Sequence, residues 1–115
     1  MRRRLVLFLA SMAFAAFAAA SPLSPPTSEV SIYVFATKAH HMLQPNSAAH
    51  SQLVNWVSRN QSGWSRYLAT PPAQGIVVRG SGFDLQVLNT QALASTPDGI
   101  FVKSITAGEL AFLEQ

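Results

Sequence analysis

The clearest alternation of hydrophobic and polar positions lies at Glu29–Thr37 (EVSIYVFAT). Val30, Ile32, Val34 and Ala36 fall on one side of an extended chain, and Tyr33 and Phe35 on the other. Successive strand residues project to opposite faces, so apolar residues on both predict a central strand covered, at least in part, on each side. Lys38–Pro45 (KAHHMLQP) reads as irregular, with Pro45 as its boundary. Asn46 or Ser47 then caps an amphipathic helix over about 47–60. Ala49, Leu53, Trp56 and Val57 recur at helical spacing, and Ser51, Gln52, Asn55, Ser58 and Arg59 take the opposite face. Gly63 is an end signal, and Trp64, Tyr67 and Leu68 follow at a spacing that could continue a helical turn until Thr70-Pro71-Pro72 stops it.

The second half is shorter in period. Gly75–Arg79 (GIVVR) and Phe83–Asn89 (FDLQVLN) are strand-like, and Gly80-Ser81-Gly82 between them predicts an antiparallel hairpin. Thr90–Ser95 carries no decisive pattern. Thr96-Pro97-Asp98-Gly99 is a turn, and Ile100–Ser104 (IFVKS) a final strand. Thr106-Ala107-Gly108-Glu109 matches a capping box ahead of Leu110, Phe112 and Leu113, so a short C-terminal helix is expected. The fold class is therefore α+β: a small single domain with one helix on an antiparallel or mixed sheet.

Charge separates the chain into an address and a domain. Arg2-Arg3-Arg4, the apolar run that begins at Leu5, and Ala18-Ala19-Ala20 have the three parts of a cleavable secretory signal. The run from Leu5 to Ala20 falls short of the ~20 apolar residues that a membrane span requires. The expected organisation is a signal peptide at 1–20, a Pro/Ser-rich tether at 21–28 (SPLSPPTS) and one α+β domain at 29–115. Removing the signal changes the meaning of the +3 formal charge. The remaining Lys38, Arg59, Arg66, Arg79 and Lys103 balance Glu29, Asp84, Asp98, Glu109 and Glu114, so nucleic acid is not an expected partner. No stable membrane span is expected after processing. An alanine-rich signal without any cysteine in the chain fits a bacterial protein exported to the periplasm or the exterior, held together by packing alone.

The absence of cysteine also removes disulfide scaffolds, thiolate metal sites and cysteine nucleophiles. His40 and His41 fall in the irregular stretch and read as solvated loop residues, and His50 falls in the first turns of the helix. Their spacing matches no metal motif, so neither a metal nor a cofactor is assigned. Ser81 lies in Gly80-Ser81-Gly82, the chemistry of a turn and not of a nucleophile elbow. Asp98 and Glu109 are explained by a turn and a cap, too few acids remaining for a glycosidase pair. Trp64, Arg66 and Tyr67 are the residue types that anchor interfaces and form the candidate partner-binding set. The competing assignment puts Trp64 and Tyr67 in the core beneath the helix. The expected function is a non-catalytic binding protein of the cell envelope: an inhibitor, an immunity-type protein or an accessory factor. The alternatives are a small hydrolase that uses His41 or His50 with Asp84, and a structural subunit that assembles by strand addition at an open sheet edge.

Overall fold

The computed structural model describes residues 21–115; the segment read as a signal peptide, 1–20, lies outside the described residues. Seven strands and one helix follow in chain order: β1 (Val30–Val34), β2 (Ala39–Leu43), α1 (Ala48–Arg59), β3 (Ser65–Arg66), β4 (Ile76–Gly80), β5 (Phe83–Val87), β6 (Gln91–Thr96) and β7 (Gly99–Ser104). A 3-10 turn at Ala111–Glu114 closes the chain. All seven strands form one antiparallel sheet in the order β2-β1-β4-β5-β6-β7-β3.

Helix α1 begins where its cap chemistry places it. Ser47 is extended (φ −84°, ψ 156°), and its Oγ accepts the His50 N–H at 3.2 Å. Its last carbonyls are taken by side chains: Asn60 Nδ2 donates to Trp56 O and Gln61 Nε2 to Val57 O, each at 2.7 Å. The apolar stripe buries Leu53, Trp56 and Val57 against one face of the sheet. That face consists of Val30, Ile32 and Val34 of β1, Ile76 and Val78 of β4, Phe83, Leu85 and Val87 of β5, and Ala92 and Ala94 of β6, joined by Leu110 and Leu113. A fully buried aliphatic side chain contributes ~1.5–3 kcal/mol, so this cluster supplies the main driving force in a domain without disulfides.

The opposite face is covered only in part, and its cover follows from the topology. β3 lies outside β7, whereas β4 lies between β1 and β5. The chain must therefore cross four strand spacings, ~19 Å at ~4.8 Å each. Tyr67–Gly75 makes the crossing, kept extended by Pro71-Pro72. Gln86, on the face away from the helix, pins it by donating from Nε2 to Pro72 O at 2.6 Å and Gln74 O at 2.9 Å. Beside Gln86 in register sits Leu93, 1% exposed yet outside the helix-side cluster. This crossing explains why both faces of β6 carry apolar residues.

Several local readings are corrected. Lys38–Pro45 is not irregular: its centre is β2, paired residue by residue with β1 from Val30–Leu43 to Val34–Ala39. A tight connection makes this hairpin, with Lys38 at φ 56° and Thr37 Oγ1 accepting the Ala39 N–H at 3.3 Å. Trp64–Leu68 continues no helix; it leads into β3, and the Tyr67 N–H extends the pairing by donating to Ile100 O at 2.8 Å. The unassigned 90–95 stretch supplies most of β6. At the C-terminus half of the capping box forms, with Glu109 Oε1 accepting the Thr106 N–H at 3.0 Å. Gly108 at φ +82° then turns the backbone out of helical geometry, and only the 3-10 turn follows. Ser21–Ser28 forms neither helix nor strand and is held on the domain. Leu23 is buried in the core and Pro26 is buried.

Candidate functional site

Trp64, Arg66 and Tyr67 do not form one patch. Arg66 pairs with Phe101, which pairs with Ala94, so Arg66 and, two residues earlier, Trp64 lie on the helix side of the sheet. Tyr67 falls on the other side and is half-buried. Trp64 meets Trp56 edge-on, with ring centres 6.3 Å apart at 85°, and its Nε1 donates to Asn60 O at 2.7 Å. It closes the core at the end of the helix. Arg66 is exposed; its Nη1 donates to Asp98 O at 3.0 Å and its guanidinium lies 5.2 Å from the Phe101 ring centre. Of the three, Arg66 alone is exposed.

None of the three histidines lies in a loop, and only His40 is exposed. His50 is 3% exposed, and its Nε2 donates to Ser28 O at 2.8 Å, fastening the N-terminal segment to α1. His40 and His41 are consecutive residues of β2 and so face opposite ways: His41 is in register with Ile32 on the helix side and His40 with Tyr33 on the other. His41 Nε2 is shut off from solvent and has no hydrogen-bond partner among the described residues. Among the described residues no three of His, Asp and Glu converge as metal ligands.

Asp84 borders a cleft of about 480 Å³ at the end of the sheet, formed by the β4–β5 and β6–β7 turns and Pro22. Burial removes water from its carboxyl and raises its pKa above the ordinary aspartate value, an effect that Arg79, 3.6 Å away, only partly offsets. No histidine lines this cleft. β1 and β4 separate the two histidines of β2 from β5, and His50 is engaged with Ser28. The histidine–Asp84 pair of the hydrolase alternative is therefore not assembled. Ser81 sits at the tip of the β4–β5 turn.

A different feature was not singled out in the sequence. β2 ends the sheet, with β1 as its one strand partner among the described residues. It runs Ala-His-His-Met-Leu without Lys, Arg, Asp, Glu, Gly or Pro, and pairs with β1 without a bulge. Its exposed residues include Met42, at 43% exposure. Edge strands are ordinarily blunted by charges, proline, bulges or extreme shortness, because their free N–H and C=O groups can pair with another chain. The far edge is treated this way: β3 is two residues long and carries Arg66. β2 is not. The sequence signal was a run of five residues without charge or breaker after the strongest strand, obscured by two histidines and by the adjoining Lys38 and Pro45.

The chain matches no protein-family model, no curated protein and no solved structure.

Proposed function

We propose that this chain is a small exported binding protein of the cell envelope that engages its partner by strand addition at β2. The observation that carries the reading is the unblunted β2 edge: five uncharged residues in regular extended geometry, with an exposed Met42, at the end of a seven-stranded sheet. Strand addition takes its affinity from backbone hydrogen bonds and its selectivity from alternate side chains, and it needs no catalytic group. The separation of Asp84 from all three histidines favours binding over hydrolysis as the role of the domain. Among the described residues no helix is long and apolar enough to cross a membrane.

The test compares the exported protein with its Met42→Pro variant. Each is immobilised and exposed to envelope extract. Proline at an edge position removes a donor and blocks pairing. A component retained by the native protein and lost with Met42→Pro supports the reading, provided that circular dichroism of the two proteins is the same. Equal retention by both would remove β2 from the account.

A further inference from the structure

The backbone of β2 reveals which partner its edge suits best. The Phe35 N–H donates to Gly75 O, on the β4 side of β1. Strand alternation then directs the N–H and C=O groups of Tyr33 and Ser31 to β4, and those of Val34, Ile32 and Val30 to β2. The latter three are in register with Ala39, His41 and Leu43, which therefore bond inward. His40 and Met42 are left with their N–H and C=O groups directed outward, on a five-residue strand.

Charge is distributed along this edge with opposite signs at its ends. Lys38 stands exposed at the hairpin turn, its side chain without a hydrogen bond or ion pair among the described residues. At the other end Gln44 Nε2 donates to Glu29 Oε2 at 2.8 Å, holding a carboxylate beside the edge. The stretch between them is uncharged. A strand of this pattern is complementary to itself when reversed.

We infer that the occupant of the β2 edge is β2 of a second copy of this chain, paired antiparallel about a twofold axis through His41. This rests on the strand-addition reading above and names the partner. With the axis at His41, His40 of each copy faces Met42 of the other, and the two outward-directed pairs exchange four backbone hydrogen bonds without leaving the strand. The same register sets Lys38 opposite Gln44 and its attached Glu29 of the second copy, so both ends gain an opposite-charge contact. Moving the axis to His40 would put Met42 opposite the turn residue Lys38 and lose this match. His41 meets its own copy in a non-hydrogen-bonded pair, where Cα atoms approach to ~4.5 Å. A second imidazole is thereby brought next to the one whose Nε2 has no partner within the described residues. The product is one continuous sheet of two seven-stranded halves with helices on the same face. A strand pair alone buries less than the ~1,200 Å² typical of a stable interface, so the dimer is weak and concentration-dependent.

The chain contains no cysteine, so single introduced cysteines report the register directly. Under mild oxidation His41→Cys should cross-link copies several-fold faster than His40→Cys or Met42→Cys, because only position 41 faces itself across the axis. In sedimentation equilibrium the native protein should show a monomer–dimer equilibrium that Met42→Pro abolishes. Lys38→Glu should weaken it, since two carboxylates would meet at each end, and Lys38→Glu with Glu29→Lys should restore it. A native protein that stays monomeric to millimolar concentration overturns the second-copy inference. Strand addition itself would survive that result only if Met42→Pro still abolished retention of an envelope component. A dimer unaffected by Met42→Pro, or faster cross-linking at 40 or 42 than at 41, overturns the proposed register and axis.

Discussion

The indole of Trp56 joins three parts of the domain, and replacing it separates packing from polar anchoring. The side chain is 2% exposed, lies in the core between α1 and the sheet, and meets the Trp64 ring edge-on. Its Nε1 donates to Glu109 Oε2 at 2.6 Å, the bond that ties α1 to the C-terminal turn. Trp56→Ala removes all of this and should cost about 3–5 kcal/mol, the range for truncating a buried aromatic. That is a large share of a typical stability of ~5–15 kcal/mol. Trp56→Phe is more informative, because it keeps a buried ring and deletes the donor. Hydrogen bonds to charged groups contribute ~1.5–3 kcal/mol, but Glu109 is exposed and water can replace the lost donor, so about 1–1.5 kcal/mol is expected. For a domain of this size that corresponds to a fall in Tm of very roughly 4–12 °C. Glu109→Gln perturbs the same bond from the other side while retaining an acceptor oxygen. Glu109→Ala removes it completely, along with the contact to the Thr106 N–H. The assay is urea unfolding followed by far-UV circular dichroism on Trp56→Phe, Glu109→Ala and the double variant. Coupling of about 1 kcal/mol is expected, since the second substitution removes nothing that the first has left of this bond. Strict additivity would refute the claim that Trp56 and Glu109 hold the helix and the C-terminal turn together.

The same carboxylate gives a pH dependence. The Thr106 N–H and then Trp56 Nε1 hold the pKa of Glu109 below the ordinary glutamate value. A depressed folded-state pKa adds stability above the unfolded value that is lost as pH falls through the folded one, so Glu109→Gln should flatten the acid limb of urea midpoint against pH. Gly75→Ala should be far more damaging than Gly108→Ala. Both glycines have positive φ, but a Cβ at 75 would lie 2.0 Å from Val87 O, whereas one at 108 meets nothing within 4 Å. Denaturant midpoints should show about 1 kcal/mol for Gly108→Ala and well over ~2 kcal/mol, or failure to fold, for Gly75→Ala. Arg66→Ala should cost no more than about 1 kcal/mol in the same assay, since its bond to Asp98 O and its contact with Phe101 are exposed. A changed affinity for a verified partner in Arg66→Ala would restore the β3 edge to the functional account. Mass spectrometry of exported protein should find Ser21 at the N-terminus; Met1 intact on membranes would refute signal cleavage.

Local periodicity and cap chemistry were sufficient for what short-range sterics decide. Ser47 and the Ala49–Leu53–Trp56–Val57 stripe define α1 almost to the residue, and the alternation at Val30–Val34 marks a central strand. The glycine turn at 80–82 sets one hairpin and the Pro97-Asp98 turn opens the last strand, because each satisfies its backbone torsions within a few residues. The α+β class follows from these elements alone. Strand order does not. That β3 leaves the helix for the far edge, and that Tyr67–Gly75 returns across the sheet under the grip of Gln86, depends on pairing between residues dozens of positions apart. β2 and β6 became strands because β1, β5 and β7 offered them hydrogen-bonding edges, an environment that overrides weak intrinsic preference. Gly108 shows the reverse limit: half of a capping box formed, yet the backbone turned away from a helix. The candidate site divides along the same line. Residue type marked Trp64, Arg66 and Tyr67 as one set, and strand alternation then split them between two faces. The open edge at Ala39–Leu43 is a property of which strands lie beside it, so only the assembled sheet could expose it.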